Sequence, residues 1–132
     1  MRNILKNPVR IEKIFRASEY NFEAAKFHQY CDNKNDTLVL IRTEFGKTIG
    51  GYTHYPWISS NGEYVHDSEK RAFIFSLDLK EKYIPQDENN LIYCNSSEGP
   101  SFGGGIDIRI LDDCNNTLNS YCNFPSTYNL EG

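Results

Sequence analysis

No stretch of this sequence is apolar for long enough to cross a bilayer, and its first twenty residues hold no uninterrupted hydrophobic segment of the signal-peptide type. The expectation is a cytoplasmic protein with no membrane insertion. Cations are also scarce. Fourteen Lys and Arg against 18 Asp and Glu leave a formal net charge of −4. That balance argues against nucleic acid as the main partner, because neutralising phosphates needs clustered Lys and Arg. Internal repeats, linkers and low-complexity tracts are missing as well. Without a signal peptide, the four cysteines (Cys31, Cys94, Cys114, Cys122) read as reduced, core-filling thiols rather than two bridges. The Asn-x-Ser/Thr triplets at Asn35, Asn95 and Asn115 are expected by chance in a chain so rich in asparagine.

What is present suits one globular domain. A chain of 132 residues buries about two thirds of its unfolded surface and needs no covalent staples. Hydrophobic residues make up 39% and aromatics 14%, enough to fill a core, while interspersed charge argues against bulk disorder. The charge is uneven. Residues 1 to 16 carry Arg2, Lys6, Arg10, Lys13 and Arg16 against Glu12 alone, a net of +4, which leaves −8 for the rest. Such a leader is either a solvated segment or a docking surface for an acidic partner.

The hydrophobic period changes along the chain. Asn21 is placed to cap a helix in which Ala24, Phe27 and Cys31 share a face, with Asp32-Asn33 ending it. A second helix is expected around Val9 to Ile14. Thr37 to Arg42 alternates and is β-branched, Gly46 marks a turn, and Thr48 to Tyr55 completes a hairpin. Residues 59 to 70 read as polar loop. Ala72 to Leu77 reads as a central strand, because it is almost continuously apolar. Residues 80 to 90 form a charged connection, Leu91 to Cys94 a short strand, and Ile106 to Leu111 another, followed by asparagine-rich turns. The expected fold is α+β, mainly β: a two-sheet antiparallel β-sandwich of five or six strands with one or two covering helices.

Signals for chemistry are weak. His28 and Cys31 are spaced to hold one metal, but no second His-x-x-His or Cys-x-x-Cys pair exists. None of the cysteines sits beside a motif that would stabilise a thiolate. Gly103-Gly104-Gly105 leads into a strand instead of opening a helix, so it reads as a turn and not as a phosphate loop. Asp67, Glu69, Asp107, Asp112 and Asp113 read as solvated acids at loops and strand ends. Tyr52, Tyr55, Tyr64 and Trp57 would supply a stacking or protein-binding patch if exposed. No catalytic residue, metal ligand or cofactor site is assigned.

The most informative residues are two glycine-aromatic stretches. Glu44 to Trp57 contains Gly50-Gly51-Tyr52 and ends in Pro56-Trp57, and Gly99-Pro100-Ser101-Phe102-Gly103 follows about forty-five residues later. Gly50 and Gly51 mark a strand against which a neighbouring backbone or the Trp57 ring packs closely. In order and spacing these pieces resemble the TLDc domain, the family associated with oxidation resistance in eukaryotes. Phe15 to Ser18, Phe27-His28, Cys31-Asp32 and Thr37 to Ile41 are similar to its opening helix and first long strand. Ala72 to Leu77, with Phe73 and Phe75, is similar to its central strand, and Ile106 to Ile110 to the strand after its Gly-Pro-Ser-Phe-Gly turn. The expectation is one TLDc-like domain over residues 1–132. Family members usually continue past a stretch like Ser120 to Tyr128 with a strand that closes the sheet, so a domain without that final strand is expected.

The resemblance implies resistance to oxidative stress and regulation of the vacuolar proton pump, whose assembly or activity is modulated through binding to its cytosolic subunits. It carries over no catalytic residues. The expected function is a non-catalytic protein-interaction domain, with Arg10, Lys13, Tyr55 and Ser101 as interaction residues. The rivals are a thiol-based peroxide scavenger or weak hydrolase, and a carbohydrate-binding sandwich.

Overall fold

The computed structural model describes residues 10–104, 107–112, 114, 121–122 and 128–131. After an extended start, a 3-10 turn at Ala17–Tyr20 leads into helix α1, Ala24–Cys31. Ten strands follow among the described residues: β1 Thr37–Arg42, β2 Thr48–Thr53, β3 Asn61–Tyr64, β4 Ala72–Ser76, β5 Glu81–Pro85, β6 Ile92–Asn95, β7 Glu98–Phe102, β8 Ile108–Leu111, β9 Tyr121–Cys122 and β10 Tyr128–Leu130. They pair antiparallel into two five-stranded sheets, ordered β1-β2-β4-β5-β10 and β3-β6-β7-β8-β9.

The sandwich core lies between the sheets. Ile74 from β4 faces Ile92, Phe102 and Ile108 of the second sheet, with Trp57, Leu91 and Tyr128 filling the layer, all at most 1% exposed. Trp57 meets Phe102 edge to face, with ring centroids 5.5 Å apart, and its indole N–H donates to Thr37 Oγ1 at 3.0 Å. Phe27 of α1 packs edge-on against the same indole at 5.5 Å. Phe73 and Phe75, also buried, lie on the opposite face of β4 in a second cluster with Leu38, Tyr52, Leu77 and Ile84. β4 is therefore buried on both faces, which accounts for its unbroken apolar run.

Both glycines of β2 are needed where they stand. A Cβ on Gly51 would lie 2.5 Å from the Phe102 ring, and one on Gly50 would meet Val39 O and the Phe75 ring. The neighbouring backbone that the sequence suggested is that of Val39, at Gly50, while the rings that press on the pair are Phe102 and Phe75 and not Trp57, which packs on Phe102.

Several expectations are corrected by packing. Asn21 does not cap α1; it ends the 3-10 turn in the left-handed region at φ 55°, and Glu23 precedes the helix. The helix expected near residues 9 to 14 is absent from residues 10 to 14, and Val9 lies outside the described residues. The polar segment 59–70 contains β3, and the charged segment 80–90 contains β5. In β5 the Lys82 ammonium lies 4.6 Å over the Phe73 ring, so a lysine serves as cover for an apolar face. The Gly-Pro-Ser-Phe segment is a central strand and not a turn. Pro100 is tolerated there because pairing with β8 shifts register between Glu98 and Ser101. The turn follows at Gly103, which has φ 94°. Gly105, Ile106 and Asp113 lie outside the described residues.

Candidate interaction surface

Two constellations each unite a carboxylate, a histidine and a hydroxyl, and they differ in where the chain puts them. The first sits under α1. His28 faces inward from the helix, 6% exposed, and Asp32 follows one turn later. Nδ1 of His28 lies 2.7 Å from Asp32 Oδ1, and Ser59 donates to Asp32 Oδ2 at 2.6 Å. On the other side of the ring, Nε2 meets the carbonyls of Asn95 and Glu98, both at 2.8 Å. Both are acceptors, so Nε2 carries a proton and donates. This is not a nucleophile–base pair. The Ser59 hydroxyl touches the carboxylate and not the imidazole, and the nitrogen that would act as base is occupied by backbone. The set instead ties α1 to the β6–β7 turn. Asp112 adds a second tie by accepting the Ala24 N–H at 2.7 Å, near the start of the helix.

The second constellation lies at the surface where β1 begins and β2 ends. Asp36 takes a left-handed backbone, φ 58°, as the chain turns into β1. Its Oδ1 accepts from the Tyr52 hydroxyl at 2.7 Å and lies 2.8 Å from His54 Nδ1. The bond from Tyr52, then that from His54, holds the carboxyl below its usual range. Burial, and then its donation to Asp36, pushes the Tyr52 phenol up to about 12. His54 packs edge-on against Tyr55, and the Arg71 guanidinium sits 5.8 Å over the Tyr55 ring.

Arg71 is anchored below by Asp67, with Nε and Nη2 at 3.0 and 3.3 Å from its two oxygens. Asp67 is 1% exposed, which corrects its reading as a solvated acid. Burial alone would raise its pKa. The Arg71 guanidinium and the backbone N–H groups of Arg71 and Glu69 more than offset that and bring it to about 2. Asp107, also read as solvated, is fully buried and accepts the Tyr128 N–H at 3.0 Å. Glu69 and Asp112 are exposed.

The expected interaction residues divide. Tyr55 is half-buried within the surface constellation. Arg10 and Lys13 are exposed, with Lys13 3.5 Å from Glu19, but Arg2 and Lys6 lie outside the described residues. Ser101 is fully buried on β7, opposite Tyr93 and Arg109, and is withdrawn as an interaction residue. Trp57 is buried too, so it does not join Tyr52, Tyr55 and Tyr64 in an exposed aromatic patch. Of the motif residues, Gly99 is buried and Pro100 half-buried. Asp36, His54 and Arg71 escaped sequence reasoning. The signal available for His54 was its place two residues after Tyr52, which puts both on one face as β2 ends.

Cys31 and Cys94 are buried, and burial pushes both thiols up to about 11. His28 and Cys31 do not converge on a metal, and among the described residues no three His, Cys, Asp or Glu side chains form a candidate metal site. No helix among the described residues is long and apolar enough to cross a membrane.

The class is that of a mainly β, two-sheet sandwich domain with helix α1 clamped onto the second sheet. The chain belongs to the TLDc domain family, whose profile matches residues 2–131. No curated protein matches the chain.

Proposed function

We propose that this chain is a non-catalytic protein-interaction domain of the TLDc type, acting in the cytoplasm. Its role is resistance to oxidative stress, exerted through a protein partner, and cytosolic subunits of the vacuolar proton pump are the partner class. The observation that carries the non-catalytic reading is the closed state of the His28 constellation, in which Nε2 is held by two carbonyls and Ser59 by Asp32. The buried, raised thiols of Cys31 and Cys94 speak against a thiol scavenger. Burial of Trp57 takes the one tryptophan of the chain out of any sugar-stacking platform. Two surfaces are favoured for docking, the Tyr55, His54 and Arg71 cluster and the exposed cations Arg10 and Lys13.

The test is direct binding of the purified chain to purified cytosolic pump subunits at two ionic strengths. Binding is expected, weakened by added salt and by Arg10→Glu with Lys13→Glu, since exposed charges are largely screened beyond about 10 Å at 0.1 M salt. Absence of binding to every subunit would overturn the partner assignment. Wild-type affinity of the charge-reversed variant at both salts would remove the leader from the interface.

A further inference from the structure

The two sheets have four edges among the described residues, and three are protected. β9 and β10 are two and three residues long. β3 is broken by a register shift between Asn61 and Glu63, at Gly62 with φ 113°, and carries a charge at Glu63. Short length, bulges and charges are the usual devices that stop a sheet edge from recruiting another strand. β1 has none of them. It runs Thr-Leu-Val-Leu-Ile-Arg in unbroken register with β2, with no proline and no charge before Arg42. Leu40 is 57% exposed, and Val39 and Ile41, whose side chains point into the sandwich, remain partly open at this edge.

The hydrogen-bonding groups on that edge can be placed. Thr43 N–H donates to Lys47 O, and Val39 O points toward β2, close to Gly50. Odd-numbered residues of β1 therefore bond to β2, and the N–H and C=O of Leu38, Leu40 and Arg42 point to the open side.

We infer that β1 is a self-pairing edge: two copies of this chain join their β1 strands antiparallel across a twofold axis at Val39, merging the two first sheets into one of ten strands. The sequence of the edge selects this partner and this register. With Val39 opposite Val39 of the second copy, Leu38 faces Leu40, Thr37 faces Ile41, and Arg42 faces Asp36. All these pairs keep core-facing residues on the core side. Asp36 is 58% exposed, and its Oδ2 lies on the side chain whose Oδ1 binds Tyr52 and His54, so the carboxylate is fixed as an ion-pair partner. A shift by one residue would turn apolar side chains to the wrong face. The neighbouring allowed registers would bring like charges together at the strand ends, either Arg42 near Lys34 or Glu44 near Asp36. An isologous contact of this kind closes on itself and leaves no β1 edge free.

The experiment measures the mass of the whole chain in solution by sedimentation across a concentration series. A monomer–dimer equilibrium is expected, lost on Leu40→Lys, an exposed position where the fold, checked by circular dichroism, is retained. Register is read by cross-linking. Val39→Cys should give a disulfide-linked dimer under mild oxidation, because a non-hydrogen-bonded antiparallel pair sets Cα atoms about 4.5 Å apart. Ile41→Cys, which faces Thr37, should not cross-link beyond the wild-type background. A chain that stays monomeric at every concentration would overturn the proposal and leave the edge to a strand from another protein. So would a dimer indifferent to Leu40→Lys, or one cross-linked by Ile41→Cys and not by Val39→Cys.

Discussion

The constellation under α1 and the one at the end of β2 use the same three side-chain types and have opposite fates. In the first, His28 and Asp32 are 6% and 15% exposed, and each polar atom on the ring meets a fixed acceptor. In the second, His54 and Asp36 are 29% and 58% exposed, and one carboxylate oxygen receives both contacts. The difference teaches that residue type does not mark a site. A buried histidine whose nitrogens are both occupied acts as a bolt, while the same residue at a strand end stays partly open to solvent.

The sharpest way to break the comparison is His28→Leu. It takes the imidazole from the carbonyls of Asn95 and Glu98 and leaves the Asp32 carboxylate with Ser59 alone, and each buried unsatisfied group costs about 1–3 kcal/mol. Chemical denaturation should show a loss of about 3 kcal/mol or more. An unchanged midpoint would make the first constellation as dispensable as the second. Next in size is Gly51→Ala, which sets a methyl group against the Phe102 ring beneath Trp57 and should cost about 1–3 kcal/mol as overpacking. The double change Gly51→Ala, Phe102→Leu should cost less than the two single effects combined, because the smaller side chain makes room.

His54→Ala should change stability by no more than about 0.5 kcal/mol, the usual range for a surface substitution. It should nevertheless weaken partner binding. If it destabilises as much as His28→Leu, the second constellation is structural as well.

Acid separates a third carboxylate from both. The folded Asp67 pKa of about 2 lies below the unfolded value of about 3.9. Its contribution is therefore complete above the unfolded pKa and is lost as pH falls from about 4 toward 2. Asp67→Asn should flatten the acid limb of the stability curve in that window, and an identical slope for both chains would refute the assignment. The smallest expected effect is on thiol reactivity. Alkylation of Cys31 and Cys94 in the folded chain should be slow at neutral pH and rise only on unfolding, because burial keeps both protonated. Mass spectrometry of the labelled peptides would show it, and fast labelling of either cysteine while native would reopen the scavenger reading.

The sequence by itself determined whatever depends on local period and on backbone sterics. The alternation in Thr37 to Arg42, the turn at Gly46 and the apolar run of Ala72 to Phe75 placed β1, β2 and β4, and the glycine-aromatic motifs led to the family. The burial of Phe73 and Phe75 was legible in the same way, because both lie in that run. What only the tertiary structure decided was every feature that depends on a neighbour distant in sequence. β3 and β5 look polar because one is exposed along its length and the other uses Lys82 as cover. Ser101 looks like a loop residue until β6 and β8 close on either side of it. Asp67 looks solvated until the backbone N–H groups of Glu69 and Arg71 and the Arg71 guanidinium turn toward it. Even the two constellations are indistinguishable as a list of His, Asp and hydroxyl residues. The packing of α1 against the β6–β7 turn makes one a bolt, and the open end of β2 leaves the other facing solvent, because burial and hydrogen-bond satisfaction are properties of the assembled sheets and not of the local chain.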